Sequence, residues 1–333
     1  MTRSQPSIGI DIGSRASKCV AVDPHDGTII ARVIVPRIAT SDSIDRDAIV
    51  RMTSILRRRN VWTGRVVLGA PPAIATSSTL ELPPRSSGAP IDRLVEVELA
   101  RLMRCEIGSI EAVSWEIPVG GKATHSCAMM AVACQKEKAV AIADWFDECG
   151  FPIEAIEPAC IAITRIATRE QTASAFVTVD LGATSGRVCV VSGGIVMLER
   201  ELGELGMADR LGCAAAPLGV TPEALWARVR ACESVPRPIT RIAGEQARQF
   251  ISRLASDVVE AVKESIGYVR MKGGTAKPQS IVLVGWGSDT AGLAPEIQAE
   301  IELPVTVAGT AAGGGAMALA YGLSLRATEE ATQ

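Results

Sequence analysis

Metal-ligand residues are scarce in this sequence, and their scarcity excludes several chemistries at once. There are two histidines, His25 and His125, far apart and in turn-like or strand contexts. The nine cysteines are odd in number and never spaced C-x-x-C. Neither a zinc or iron–sulfur site nor a disulfide framework is expected, and most cysteines, Cys19 among them, fit apolar runs as small core residues. No run of about 18 apolar residues occurs, so no transmembrane helix is expected. The first seven residues are polar and lead straight into a strand pattern, which argues against a signal peptide. A formal net charge of −3 gives no electrostatic reason to expect nucleic acid. The patterns G-x-x-x-x-G-K-S/T and G-x-G-x-x-G are both missing, so no P-loop or Rossmann fingerprint is present. What remains is a globular composition, 47% hydrophobic and 21% charged over 333 residues. That length suits two domains of ordinary size, expected in the cytoplasm.

Against that background one stretch stands out: Ile8-Gly9-Ile10-Asp11-Ile12-Gly13-Ser14, with Lys18 shortly after. An apolar strand enters a carboxylate, a glycine and a small hydroxyl residue, and a second strand leaves at Cys19–Val22. This reads as a tight hairpin whose turn is stripped of bulk. Such a turn lets backbone N–H groups approach an anion, with Lys18 as a point charge and Asp11 beside a hydrated cation. An ordinary hairpin has the same pattern, and one short motif decides little.

The pattern comes twice. Ala175–Val179 feeds Asp180-Leu181-Gly182-Ala183-Thr184-Ser185, matching Asp11-Ile12-Gly13-Ser14 in residue type and spacing. Each is followed by two strands and then a helix, an internal duplication too divergent for a solenoid. A third turn, Gly285-Trp286-Gly287-Ser288, follows the buried strand Ser280–Val284. A glycine turn between strand and helix lets a flat base and its ribose come close to the backbone.

Between these turns, helices are expected over Asp45–Arg59 (capped by Ser43), Pro90–Met103, Lys136–Cys149, Glu157–Ala167, 206–213, 222–232, Glu245–Met271, Ala291–Glu300 and Ala311–Arg326. Strands are expected at Thr28–Val35, Arg65–Ala70, Thr76–Leu82, Ala112–Pro118, Ser126–Ala133, Ile153–Ile156 and Val305–Val307. Gly120-Gly121-Lys122 reads as a turn, Pro236-Arg237-Pro238 as a break, and Ala327–Gln333 as a frayed tail. The composition shift at Pro83–Gly88 marks a boundary, so residues 88–157 are expected to form a small α+β insertion.

With the turns in this order and the duplication, the chain resembles the actin-like ATPase superfamily (actin, Hsp70, sugar kinases, FtsA, MreB). The layout, Glu157-Pro158, Glu264–Tyr268 and Ala318–Arg326 make it most similar to the PilM/FtsA-like branch. The resemblance implies an α/β fold with two duplicated, ribonuclease H-like domains flanking a nucleotide cleft. Domain I would hold residues 1–167 plus 310–333, and domain II residues 168–309. Ile156–Ala167 and Gly315–Leu325 would connect them. By position, the resemblance puts Gly13, Ser14 and Lys18, with Gly182, Ala183 and Thr184, on the phosphates of ATP. Asp11 and Asp180 would reach Mg2+ through water. Arg15 and Gly203 would lie beside the phosphates, and Gly285, Gly287 and Ser288 would line the adenosine. Glu260 and Lys263 resemble ribose and adenine contacts, or form an exposed i,i+3 pair. Glu157 sits where relatives place a water-polarising residue, or simply starts a helix.

Three departures bear on catalysis. Arg15 replaces a small residue, Glu204 a second glycine, and Trp286 the middle glycine of the adenosine turn. They imply weak nucleotide binding and slow or absent hydrolysis. The implied role is a cytoplasmic scaffold of a type IV pilus, or a related type II secretion, inner-membrane platform. It would grip the N-terminal tail of a PilN-like membrane protein and be peripheral to the membrane through it. The alternatives are a small-molecule, sugar-type kinase and an FtsA-like division protein. The kinase lacks a convincing base, and the division protein lacks an amphipathic C-terminal helix.

Overall fold

The computed structural model describes residues 5–37, 46–61, 64–118, 126–170, 174–231 and 241–326. Ser43, Gly120–Lys122, His125, Pro236–Pro238 and the tail 327–333 lie outside the described residues. The first half contributes β1 (Ser7–Ile12), β2 (Ala16–Val22), β3 (Ile29–Pro36), α1 (Arg46–Arg58), β4 (Arg65–Gly69) and β5 (Ala75–Leu82). It continues with α2 (Ile91–Met103), β6 (Ile110–Glu116), β7 (Cys127–Gln135), α3 (Lys136–Glu148), β8 (Ile153–Glu157) and α4 (Ala159–Glu170). The second half contributes β9 (Ala175–Leu181), β10 (Gly186–Ser192), β11 (Ile195–Leu202), α5 (Met207–Ala215), α6 (Pro222–Ala231) and α7 (Arg241–Met271). It ends with β12 (Ile281–Val284), α8 (Leu293–Ile301), β13 (Val305–Val307) and α9 (Ala318–Ser324).

Two five-stranded sheets carry the duplication. Their orders are β3-β2-β1-β4-β8 and β11-β10-β9-β12-β13, the same path drawn twice. In each, the first three strands form an antiparallel meander, and the last two run parallel to the first. The central strands β1 and β12 are buried along their whole length, as strands covered on both faces must be. That is why β12 reads as an unbroken apolar run and β1 sets its isoleucines between small residues and Asp11, while edge strand β3 alternates in burial.

Helices α4 and α9 pack together, and their apolar residues share a core with Val20 and Val22 of one sheet and Val282 and Val284 of the other. Close approach here depends on glycine. A Cβ on Gly9 would lie 2.0 Å from the Ala320 carbonyl oxygen, and one on Gly322 would lie 2.1 Å from that of Ala162. The backbone of α9 therefore rests directly on β1 and on α4.

Three expectations need correction. The small α+β unit does not run over 88–157. Its sheet is β5-β7-β6, so it begins at β5, whereas β8 pairs with β4 in the first sheet. Helix α3 likewise buries Ile142 and Phe146 in the first sheet's core. The cause is the alternation in β7: Met129 and Ala131 face α2, while Met130 and Val132 join the core of the second sheet. Second, Ala311–Arg326 is not one helix. Gly313 and Gly314 adopt φ of 106° and 108°, conformations no helix contains, and break it into two short 3-10 turns before α9. Third, Glu157 ends β8 instead of opening the helix, and α4 starts at Ala159.

Candidate functional site

A cleft of about 520 Å3 opens between the two sheets, lined by both hairpin turns and by Gly285 and Trp286. Its floor follows from strand register. Asp11 of β1 stands opposite Lys18 of β2, and Asp180 of β9 opposite Arg187 of β10. The duplication thus extends to an acid and a base at the same spacing in each hairpin. Lys18 Nζ donates to Asp11 Oδ2 at 2.8 Å, with both side chains largely buried. Arg187 Nε lies 2.7 Å from Glu199 Oε1, again out of solvent.

Burial works to lower the Lys18 pKa, but Asp11, Asp180 and Asp289 around it more than offset that and hold the ammonium above its ordinary range. For Asp180 burial dominates. It pushes the carboxyl up, aided by the nearby Asp11 charge and opposed by Arg187 and Lys18. A further positive charge beside Asp180 would favour its ionised form.

The turns are fixed by their own backbone. Gly13 N–H donates to the Ala16 carbonyl at 3.1 Å, and Arg37 Nη1 donates to the Gly13 carbonyl at 3.1 Å. In the second turn, the amides of Met207 and Ala208 at the start of α5 donate to the carbonyls of Gly182 and Ala183 at 3.1 and 2.8 Å. The two tips touch across the cleft, Thr184 Oγ1 lying 3.3 Å from Ser14 Oγ. Asp289 accepts from the Gly315 amide at 3.0 Å and ties the third turn to the strand-to-α9 connection.

At the other end the cleft is aromatic. Trp286 lies against Trp226 of α6 with ring centroids 4.3 Å apart, and the Arg15 guanidinium sits over the Trp286 ring at 5.0 Å. Arg15 Nη2 also lies 3.4 Å from Glu223 Oε1.

Of the residues selected from sequence, Asp11, Gly13, Ser14, Arg15, Lys18, Asp180, Gly182, Ala183, Thr184 and Gly285 line this cleft. Gly287 and Ser288 are buried beside it, Ser288 Oγ donating to the Gly285 carbonyl at 2.7 Å. Others are not brought in. Gly203 and Glu204 are exposed, away from the lining, as are Glu260 and Lys263 on the outer face of α7. Glu157 is buried in a bidentate pair with Arg165, at 2.6 and 2.9 Å, and does not line the cleft. The same Arg165 donates to the Gly322 carbonyl at 2.8 Å. Arg37, Arg187, Asp289 and Trp226 also line the cleft and were not selected. The echo of Lys18 at Arg187 was available in the sequence; the other three depend on tertiary approach.

Among the described residues no group of His, Cys, Asp and Glu could by itself hold a metal ion. No helix there is long and apolar enough to cross a membrane. Cys19, just past the first turn, is fully buried, and desolvation pushes its thiol up to about 12, the behaviour of an inert core residue.

No family model matches the sequence, and no curated protein does. Solved structures match over nearly the whole chain. A PilM–PilN type IV pilus biogenesis complex superposes with a TM-score of 0.72 at 16% identity, covering 98% of this chain and 99% of that one. The ethanolamine utilization protein EutJ of Carboxydothermus hydrogenoformans gives 0.59 at 13% identity, covering 96% and 89%. MreB5 of Spiroplasma citri bound to AMPPNP gives 0.52 at 12% identity, covering 99% and 98%. With two sheets of identical topology facing each other across a cleft, this chain has the actin-like ATPase fold.

Proposed function

We propose that this protein is a nucleotide-binding scaffold of a type IV pilus or related secretion platform, gripping the cytoplasmic tail of a PilN-like inner-membrane protein. The observation that carries the reading is the match to PilM in a PilM–PilN complex, extending over both chains almost entirely. In this reading the chain divides into two actin-like domains, 1–167 with 310–333, and 168–309. It is cytoplasmic and peripheral to the membrane through its partner.

The cleft residues suit Mg·ATP. Gly13, Ser14 and Lys18 would hold phosphates from one side, and Gly182, Ala183 and Thr184 from the other. Asp11 and Asp180 would reach a magnesium ion through its waters, and the cation would favour the ionised form of Asp180. Nucleotide-bound MreB5 supports the same placement by analogy of fold. Hydrolysis is expected to be slow or absent, because Glu157 is committed to Arg165 and is not among the residues that line the cleft. The scaffold reading is tested by pull-down with an immobilised PilN-type N-terminal tail. Capture of the full chain is expected, and no capture with or without Mg·ATP would sink it.

A further inference from the structure

Glu260 and Lys263 stand outside the cleft, so a nucleotide in it needs another base contact. Building on the nucleotide reading, and reversing the weak binding expected of the Arg15 and Trp286 departures, we propose that Trp286, packed against Trp226, is the platform on which a planar purine base stacks, and that Arg15 is the clamp over it. The exposed face of Trp286 already carries a planar π-cation, since the Arg15 guanidinium lies 5.0 Å above its centroid. Trp226, tilted at 42° with its centroid 4.3 Å away, packs against the Trp286 ring and restrains it before any ligand binds. Arg15 is the adjustable partner: it is 35% exposed, and Glu223, its counter-ion, is 69% exposed. The clamp rises from the first hairpin and the platform from the second sheet, so a stacked base would bridge the two sheets.

The class of ligand follows from what surrounds the platform. Among the described residues no Asn or Gln lines the cleft, so no side-chain amide reads the edge of a base. Stacking depends on the π-face, which adenine and guanine share. A stacked purine is therefore expected to bind with little preference between the two bases.

Titrations with Mg·ATP, Mg·GTP and magnesium tripolyphosphate, read by thermal shift and tryptophan fluorescence, test this on the full chain. ATP and GTP are expected to bind within about threefold of each other and at least tenfold more tightly than tripolyphosphate. Trp286→Ala should bring ATP down to the level of tripolyphosphate while leaving tripolyphosphate unchanged. Arg15→Lys, a conservative change at a partly exposed position, keeps the charge and loses the planar stack; ATP should weaken about threefold and tripolyphosphate should not. Equal binding of ATP and tripolyphosphate would overturn the platform alone, as would no effect of Arg15→Lys. Tighter ATP binding by Trp286→Ala would do so too, because Trp286 would then be filling the base's space. No response to any of the three ligands would overturn the platform together with the nucleotide reading.

Discussion

At Gly285 the backbone has φ of 85° and ψ of 174°, and an added Cβ would stand 2.1 Å from Asp180 Oδ1. Gly285→Ala therefore meets both backbone strain and a clash with a buried carboxylate. It is expected to cost at least ~2 kcal/mol in urea denaturation. Asp180 itself gives a pH signature. Its folded pKa is raised by burial above the ordinary 3.8, so its ionisation works against the fold. That penalty is absent below about pH 3.8, grows from there up to the raised value and is constant above it. Asp180→Asn should thus gain stability over the wild type as pH rises from about 4, measured as a gap in melting temperature that widens and then levels off. A gap that narrowed with pH would reverse the sign of the argument. At this scale the sequence was informative where chemistry repeats. The Asp11–Lys18 pair announces Asp180–Arg187 by spacing alone. It was uninformative for Glu260, Lys263 and Glu157, which were assigned by family position. For the first two the exposed reading was also open, since the apolar face of α7 leaves both positions outside it; nothing local told that Arg165 would hold the third.

Among the elements, the contact of α4 with β8 and α9 joins the two halves of the molecule. Arg165 binds both Glu157 of β8 and the Gly322 carbonyl of α9, with both charged side chains under 10% exposed. Removing the cation leaves a buried, uncompensated carboxylate. Arg165→Met is expected to destabilise by about 3–5 kcal/mol. Adding Glu157→Gln should recover part of that loss, giving a non-additive double-mutant cycle. Additive losses would show that the pair is not coupled. Most strands and helices were legible, because β12 is apolar along its whole length and α7 repeats its apolar face regularly. The misread elements differ in cause. The run 311–326 has good helix formers on both sides of Gly313-Gly314-Gly315, a local breaking signal that was passed over, and the interruption serves the approach to Asp289. Strand β5 carries little pattern beyond Leu80 and Leu82, and only its pairing with β7 assigns it to the small sheet.

Over the whole molecule, two copies of one strand order face each other, and the candidate site residues lie where the two first hairpins meet. Their tips are already within 3.3 Å at Ser14 and Thr184, so a ligand between the hairpins acts on the relation of the two sheets. A scaffold that reports nucleotide occupancy to a bound partner needs such a coupling and does not need turnover. The most direct test of this account is the melting temperature of the wild type and of Asp11→Ala with and without saturating Mg·ATP. The wild type should be stabilised, by about 2.7 kcal/mol at a hundredfold excess over the dissociation constant, and Asp11→Ala should lose that gain. An unchanged wild-type melting temperature at saturation would contradict the nucleotide cleft on which the account rests.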